Sequence, residues 1–331
     1  MNDNWDFLIS EFCRLGGIAE NICQKEGQFG RGIFSVNPSL KSKIFTPSHL
    51  MVKNDDIVLE NNKLRIKKDK EYNSEIRNFF NFYQDNFSWG SGGRETTELF
   101  EKGLNAFSPN LKALIKKYAL IDLEERHKGT WDNVVKKEFL NSRQIQFRSN
   151  VIIAPIWELV NHKVRSSPFI ITEEGISTPN YPPTNAEIRQ SYSNVSPLNR
   201  FFYYGFYSEE SIVFSMPFLI SNQELGIHIS CQGLALKDDS MKVERSGNEI
   251  ILEGLPIADL NHPRLPYDYF EEIVRKIGNT NLPHNILDTI FKLNIQIRKK
   301  IIDESNLINN EVSKTLTKIL LYEINLISSH N

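Results

Sequence analysis

The sequence predicts an α+β protein, and three observations carry that prediction. Strand-like and helical segments come in blocks (β-rich, helical, β-rich, helical) and do not alternate, which argues against a doubly wound parallel sheet. Hydrophobic residues make up 40% of the chain and charged residues 24%, a balance that buries a core and does not stay disordered. At 331 residues there is room for two packed domains, or for one large domain with insertions.

The first segment, Asp6–Leu15, carries Phe7, Leu8, Phe12 and Leu15 at helical spacing, and Gly16-Gly17 stops it. Short apolar runs follow. Ile33-Phe34, Ile44-Phe45 and Ile57-Val58-Leu59 read as strands, punctuated by Gly27, Gly30, Gly32, Pro38 and Pro47. The charged run Lys63–Lys70 leads into an insertion, at about 65–140, with helical patterning at Ile76–Phe87, Thr97–Phe107, Leu111–Ile121 and Trp131–Phe139. Ser88–Gly93 inside it reads as a flexible loop. Strand patterning returns at Val151–Ile156, Phe201–Tyr204, Ile212–Phe214, Gly226–Ala235 and Glu249–Leu252, and Glu173–Asn199 reads as a long surface connection. Tyr267–Ile277, Ile286–Ile302 and Val312–Leu326 then predict a helical tail.

Charge and composition exclude several function classes. Against 41 Asp and Glu stand 39 Lys and Arg, a net charge of −2, so the basic excess of a phosphate-binding protein is missing and no nucleic-acid partner is indicated. The longest apolar stretches, such as Val151–Trp157 and Ile212–Ile220, fall far short of the ~20 residues a membrane-spanning helix needs. No basic region precedes an apolar block near Asn2, Asp3 and Asp6, so no signal peptide is expected. Cys13, Cys23 and Cys231 form no CxxC pair and leave an odd thiol; the expectation is a reducing, cytoplasmic compartment and no metal site. HExxH, GxSxG and GK[ST] motifs are lacking, and Gly30-Arg31-Gly32 is not GxGxxG.

Three segments carry candidate chemistry. Glu26–Phe34 contains a glycine-spaced turn, Phe29-Gly30-Arg31-Gly32, where backbone can approach a ligand closely; an ordinary glycine hairpin gives the same pattern. Ile153–His162 delivers Asn161-His162 at the end of an apolar run, where amide and imidazole suit polar ligand edges; a polar turn after a buried strand reads alike. Phe201–Gly205 places Tyr204 before a glycine, followed by Ser208-Glu209-Glu210-Ser211, and aromatic runs of this kind also simply fill cores.

In order and spacing, these segments resemble the SET-domain protein methyltransferases, in the branch of the Rubisco large-subunit lysine methyltransferase and the actin-histidine methyltransferase. That branch has a GxG turn, a helical insertion, an Arg ahead of a P-x-x-(D/E)-x-x-NH run, a YG-x-x-S-N-x-E segment and a helical substrate-binding lobe. Here they read as Gly30-Arg31-Gly32, the insertion, Ser142-Arg143-Gln144, Pro155–His162, Tyr204–Ser211 and the tail. The chain departs from the pattern at Glu209, in place of the usual Asn, at Ser215-Met216-Pro217-Phe218, and at Pro197-Leu198-Asn199-Arg200 ahead of the tyrosine.

The resemblance implies a β-rich, threaded and knot-like SET fold over 1–225, insertion included, and a mainly helical substrate-binding lobe over 226–331. It implies S-adenosylmethionine as cofactor, a protein substrate, and a lysine acceptor with histidine as a variant. Phe29, Gly30, Arg31 and Gly32 would line the cofactor, Arg143 would pair with its carboxylate, and Asn161 with His162 would bind its amino-acid or adenine groups. Tyr204 would contact the cofactor's methyl and orient the acceptor nitrogen. A lysine must be neutral to attack, which costs roughly 4–5 kcal/mol at pH 7. A sulfonium at about 4 Å repels the ammonium by roughly 4 kcal/mol at an effective dielectric of about 20, so no strong base is needed. The alternative is a SET-like module that binds protein without catalysis, because of Glu209 and Met216-Pro217.

Overall fold

A computed structural model describes residues 3–28, 30–164, 166–179, 183–192, 195–222, 227–233, 242–276 and 285–330. The chain divides into two compact units, the first formed by 1–98 and 129–193 and the second by 99–128 and 194–331. Helices and strands are both abundant and segregated within each unit, so the α+β class stands. The division falls at 193/194, not near 225, and residues 99–128 of the predicted insertion pack in the second unit.

The first unit is built from several small sheets around one core that includes Phe12, Ile33, Phe80, Trp89, Phe139 and Ile153. Its central sheet runs in the order Asn161–His162, Glu187–Gln190, Gly30–Ser35, Ile22–Gly27. The last two strands form a hairpin in which Gly27 faces Gly30. Asn161–His162 pairs in parallel with Glu187–Gln190, Asn161 opposite Arg189 and His162 opposite Gln190. Glu187 and Ile188 face Phe34 and Ile33 on the other side. The helix Ser74–Asn86 starts where Asn73 accepts the Ile76 N–H, and it buries Ile76, Phe79, Phe80 and Tyr83.

Two expectations are corrected in this unit. Glu173–Asn199 is not mere connection: Gly175–Ser177 and Glu187–Gln190 are strands, and the second sits inside the central sheet. Its Glu-Ile-Arg-Gln sequence has one apolar residue in four, because strand neighbours, not its own side chains, supply the burial. Ser88–Gly93 is a tight turn and not a loose loop; Trp89 is buried, and its indole donates to the Asn62 carbonyl at 2.8 Å.

The second unit contains a four-stranded sheet, Phe218–Asn222, Ile227–Cys231, Glu249–Glu253 and Lys242–Ser246 in that spatial order, as well as the helices foreseen in the tail. The helices Leu265–Lys276, Asn285–Ser305 and Glu311–Ser328 match the apolar spacing read from sequence. A capping box of Asn310 and Ser313 starts the last of them. Two cores form here, one around Ile257, Phe270, Ile290 and Phe291, the other around Leu111, Phe201, Phe202, Ile301, Leu316 and Leu320.

Phe201–Tyr204 is not a strand. It is the last half of a helix, Pro197–Tyr204, capped by Ser196, opened by Pro197 and ended by Gly205 at φ 75°. The aromatic run suggested β structure, yet Ser-Pro at the start and glycine past the end are helix punctuation, and Leu198, Phe201 and Phe202 are buried on one face. Among the described residues no helix is long and apolar enough to cross a membrane.

Glu101 in the second unit is 1% exposed and accepts from Arg126 and from His127 Nε2, the latter at 2.9 Å. Burial alone would raise its carboxyl, but the hydrogen bonds from His127 and Arg126 outweigh burial and hold it below the ordinary value of 4.5. A lowered carboxyl contributes stability that is present above its unfolded pKa and lost as pH falls through its folded one. Glu101→Gln should therefore melt lower than wild type at neutral pH, with the gap closing below about pH 4. A gap that stays constant across that range rules out the ion pair as its source.

Candidate functional site

The approach of two side chains to the hairpin backbone shapes the site. Asn161 Nδ2 donates to the Arg31 carbonyl at 3.2 Å and to Glu187 Oε1 at 2.6 Å. A Cβ at position 32 would stand 1.8 Å from Glu187 Oε1 and 2.9 Å from Asn161 Nδ2. Gly32 is thus the residue that lets a strand carrying Asn161, a strand carrying Glu187 and the hairpin meet. Gly30 has φ 83° and open space around its Cβ position, so it serves the turn and not the approach.

Beside this junction lies a cavity of about 400 Å³. The hairpin contributes Gly30 and Arg31 to its wall, the tight turn Ser88, Ser91, Gly92 and Gly93, and the later segments Arg143, Glu158 and Asn161. The volume is in the range of small-molecule sites. Arg31 reaches across to Ser91, donating to its carbonyl and, at 3.0 Å, to its hydroxyl.

Glu158 and Ser88 line the cavity, and the buried polar groups around Glu158 are incompletely paired. Glu158 is fully buried, and Gln84 Nε2 donates to its Oε1 at 3.2 Å. Its Oε2 has no hydrogen-bond partner, nor do Ser88 Oγ, Tyr83 Oη and Gln84 Oε1. Burial raises the Glu158 carboxyl; the Arg143 charge and the nearby Ser88, Tyr83 and Gln84 groups oppose it without cancelling it. The Ser88 and Tyr83 hydroxyls lie near enough to favour the charged form, yet neither completes a bond of ordinary geometry. Burial, reinforced by the Glu158 charge, pushes the Tyr83 phenol well up, so it remains a donor. Arg143 stacks over Phe139 at 4.0 Å, and its Nε is 3.8 Å from Glu158 Oε2, too long for a hydrogen bond. The result is a cation and a buried anion on one wall, with acceptors and donors left for a ligand.

The chain turns sharply to deliver Glu158. Ile156 has φ 68°, unusual for a β-branched side chain, and is fully buried. Such a conformation costs of order 1–3 kcal/mol and persists where the surroundings enforce it, often at functional sites. It leads into the turn Trp157–Leu159, which the Trp157 indole secures by donating to the Ile176 carbonyl at 3.2 Å.

Of the residues singled out from sequence, Gly30, Arg31, Arg143 and Asn161 line this cavity, and Gly32 backs it. His162 does not line it. Its Nδ1 accepts the Tyr192 N–H at 3.2 Å, and its ring lies 5.2 Å from that of Tyr192, whose hydroxyl donates to the Val160 carbonyl at 2.6 Å. Phe29 lies outside the described residues. Tyr204 belongs to the second unit, at the end of its helix, with the Arg200 guanidinium 5.2 Å from its ring. Sequence reasoning missed Glu158, Glu187, Ser88 and Tyr192. Glu158 occupies the acidic position of the quoted P-x-x-(D/E) run, so its signal was in hand. Ile188, Gln190 and Tyr192 follow a period of two, which would have flagged the hidden strand.

Gly32→Ala should cost about 2 kcal/mol through overpacking against Glu187 and Asn161, and Gly30→Ala only about 1 kcal/mol through its positive φ. Denaturant melts of both variants check the order; equal losses would mean that close approach at Gly32 is not what the junction needs.

No family model and no curated protein sequence matches the chain. Similarity to solved structures extends over nearly its whole length. The chain is similar to a crystal structure of the SET domain of LSMT bound to lysine and AdoHcy, at 12% identity, covering 99% of this chain and 90% of that one, with a TM-score of 0.47. It is similar to the same domain bound to methyllysine and AdoHcy, at 14% identity over 98% and 90%, TM-score 0.48. Rubisco LSMT bound to AdoMet gives 12% identity over 100% and 91%, TM-score 0.45.

Proposed function

We propose that the chain is a SET-type, S-adenosylmethionine-dependent methyltransferase acting on a lysine side chain of a protein. The observation that supports this most is the cavity of the first unit. Segments near 30, 143 and 160, distant in sequence and singled out for a cofactor role by motif order, wall one space together with the turn near 90.

The residues present fit the cofactor. Its amino-acid head carries a carboxylate and an ammonium, and the wall offers a guanidinium at Arg143 and an unpaired buried carboxylate oxygen at Glu158. Ser88 Oγ adds a lining polar atom that lacks a partner. Gly30 keeps the hairpin backbone free of side-chain bulk where it borders the cavity. Arg143 would hold the carboxylate, and Glu158 with Asn161 the amino group and its surroundings. When bound, the cofactor supplies an activated methyl group and a positive charge on sulfur. His162, fixed through Tyr192, would hold the Val160–His162 segment in register and so keep Asn161 aimed at the hairpin. Tyr204 would orient the acceptor nitrogen and exclude water from it. The unit 194–331 with 99–128 would carry the protein substrate.

Titration calorimetry should give saturable S-adenosylmethionine binding to the whole chain. Arg143→Ala and Asn161→Ala should each weaken it by about tenfold or more, the worth of a charge-assisted contact. Glu158→Gln should weaken cofactor binding similarly without lowering the melting temperature of the free protein, because an imperfectly paired buried charge is not a net stabiliser. Tritiated methyl from the cofactor should enter protein of a cell extract, and Tyr204→Phe should slow that transfer about 100-fold at unchanged cofactor affinity. No binding overturns the proposal. Binding without transfer in the wild type favours the non-catalytic module.

A further inference from the structure

The helix Pro197–Tyr204 is gripped at both ends by buried ion pairs. Ser196 accepts the Asn199 N–H at 3.3 Å and Pro197 has no N–H, so the donor left open in the first turn is Leu198. Glu323 Oε1, from the helix Glu311–Ser328, accepts it at 2.9 Å. At the other end Gly205 donates to the Phe201 carbonyl at 2.9 Å, and Arg126 Nη1 donates to the Phe202 carbonyl at 2.8 Å. An anion at the N-terminus and a cation at the C-terminus both match the helix dipole.

Each clamping residue is itself held by a counter-charge. Arg298 Nε donates to Glu323 Oε2 at 2.7 Å, and Arg126 donates to both oxygens of Glu101, at 2.9 and 2.5 Å. Glu323, Arg298 and Glu101 are 0%, 1% and 1% exposed. Arg298 also donates to the Asn294 amide oxygen at 2.9 Å and to the Phe214 carbonyl at 3.2 Å, and that same Asn294 oxygen accepts the Met216 N–H at 2.9 Å. Buried ion pairs seldom stabilise more than apolar side chains of equal volume. Two of them, at opposite ends of one eight-residue helix, fix an orientation that apolar packing alone leaves free to slide.

We infer that Glu323 and Arg126 are positioning residues, which act through the helix to present Tyr204 in a single orientation. The inference rests on the proposed role of Tyr204. Because Tyr204 is the last residue of the helix and Leu198 lies in its first turn, a shift at Leu198 is carried to the phenol along a rigid rod of about 9 Å.

The test compares two full-length double variants, Arg298→Met/Glu323→Gln and Arg298→Met/Glu323→Leu. Both lack the buried charges, and only the first keeps an oxygen for the Leu198 N–H. Initial rates of tritiated-methyl transfer to cell-extract protein are measured against S-adenosylmethionine concentration, with amide hydrogen exchange over 197–204 in the same samples. The leucine variant should show a maximal rate about tenfold below the glutamine variant, an unchanged KM for the cofactor, and faster exchange in that helix. Phe291→Leu, in the separate core around Ile290, controls for general destabilisation and should keep the wild-type maximal rate. Equal rates in the two double variants, or a fall that Phe291→Leu matches, overturns the inference. A wild-type chain that transfers no label overturns the functional reading instead, and exchange, which needs no activity, then shows separately whether Glu323 holds the helix.

Discussion

The first unit depends on the meeting of Asn161, Glu187 and the backbone at Arg31-Gly32. One amide group donates to a main-chain carbonyl of the hairpin and to a carboxylate on the intervening strand, at 3.2 and 2.6 Å. That contact joins the hairpin to two strands more than a hundred residues further along the chain, and it is possible only because position 32 has no Cβ. The cavity wall, the register of the central sheet and the placement of Arg31 over Ser91 all follow from the same close approach.

The cavity beside it is lined by a carboxylate and a guanidinium, with buried polar groups around them incompletely paired. Folding places a carboxylate, two hydroxyls and an amide oxygen out of water without completing their hydrogen bonds, at a cost that buried polar groups ordinarily avoid. The strained turn at Ile156 adds to that cost. Polar atoms left open in a walled space, next to a guanidinium stacked on Phe139, are what a zwitterionic ligand head would complete. A site of this kind needs few titratable groups of its own when the reactive carbon arrives with the cofactor.

The second unit solves a different problem. Its helix Pro197–Tyr204 is too short to be stable by propensity alone, so its ends are satisfied from outside by Glu323 and Arg126. The charges come from segments around 101, 126, 298 and 323 and converge in pairs that are almost wholly buried. Desolvation makes such pairs costly to break and intolerant of misplacement, so they set geometry more firmly than hydrophobic contact does.

Local signals determined much by themselves. Apolar spacing fixed the N-terminal, insertion and tail helices, because a helix's buried face repeats every three to four residues whatever surrounds it. Blocks of strands and helices set the α+β class, and glycine spacing with the Pro155–His162 run marked Gly30, Arg31 and Asn161 of the cavity wall. Tertiary structure alone decided the rest. Glu187–Gln190 is a strand because its neighbours hydrogen-bond it on both sides, and Phe201–Tyr204 is helical because a cap at Ser196 and a distant carboxylate satisfy its first turn. The approach of Arg143 to Glu158, the hydrogen bond from the Tyr192 N–H to His162 and the split of 99–128 from its neighbours depend on distances through space, and a linear pattern of residue types carries no record of those.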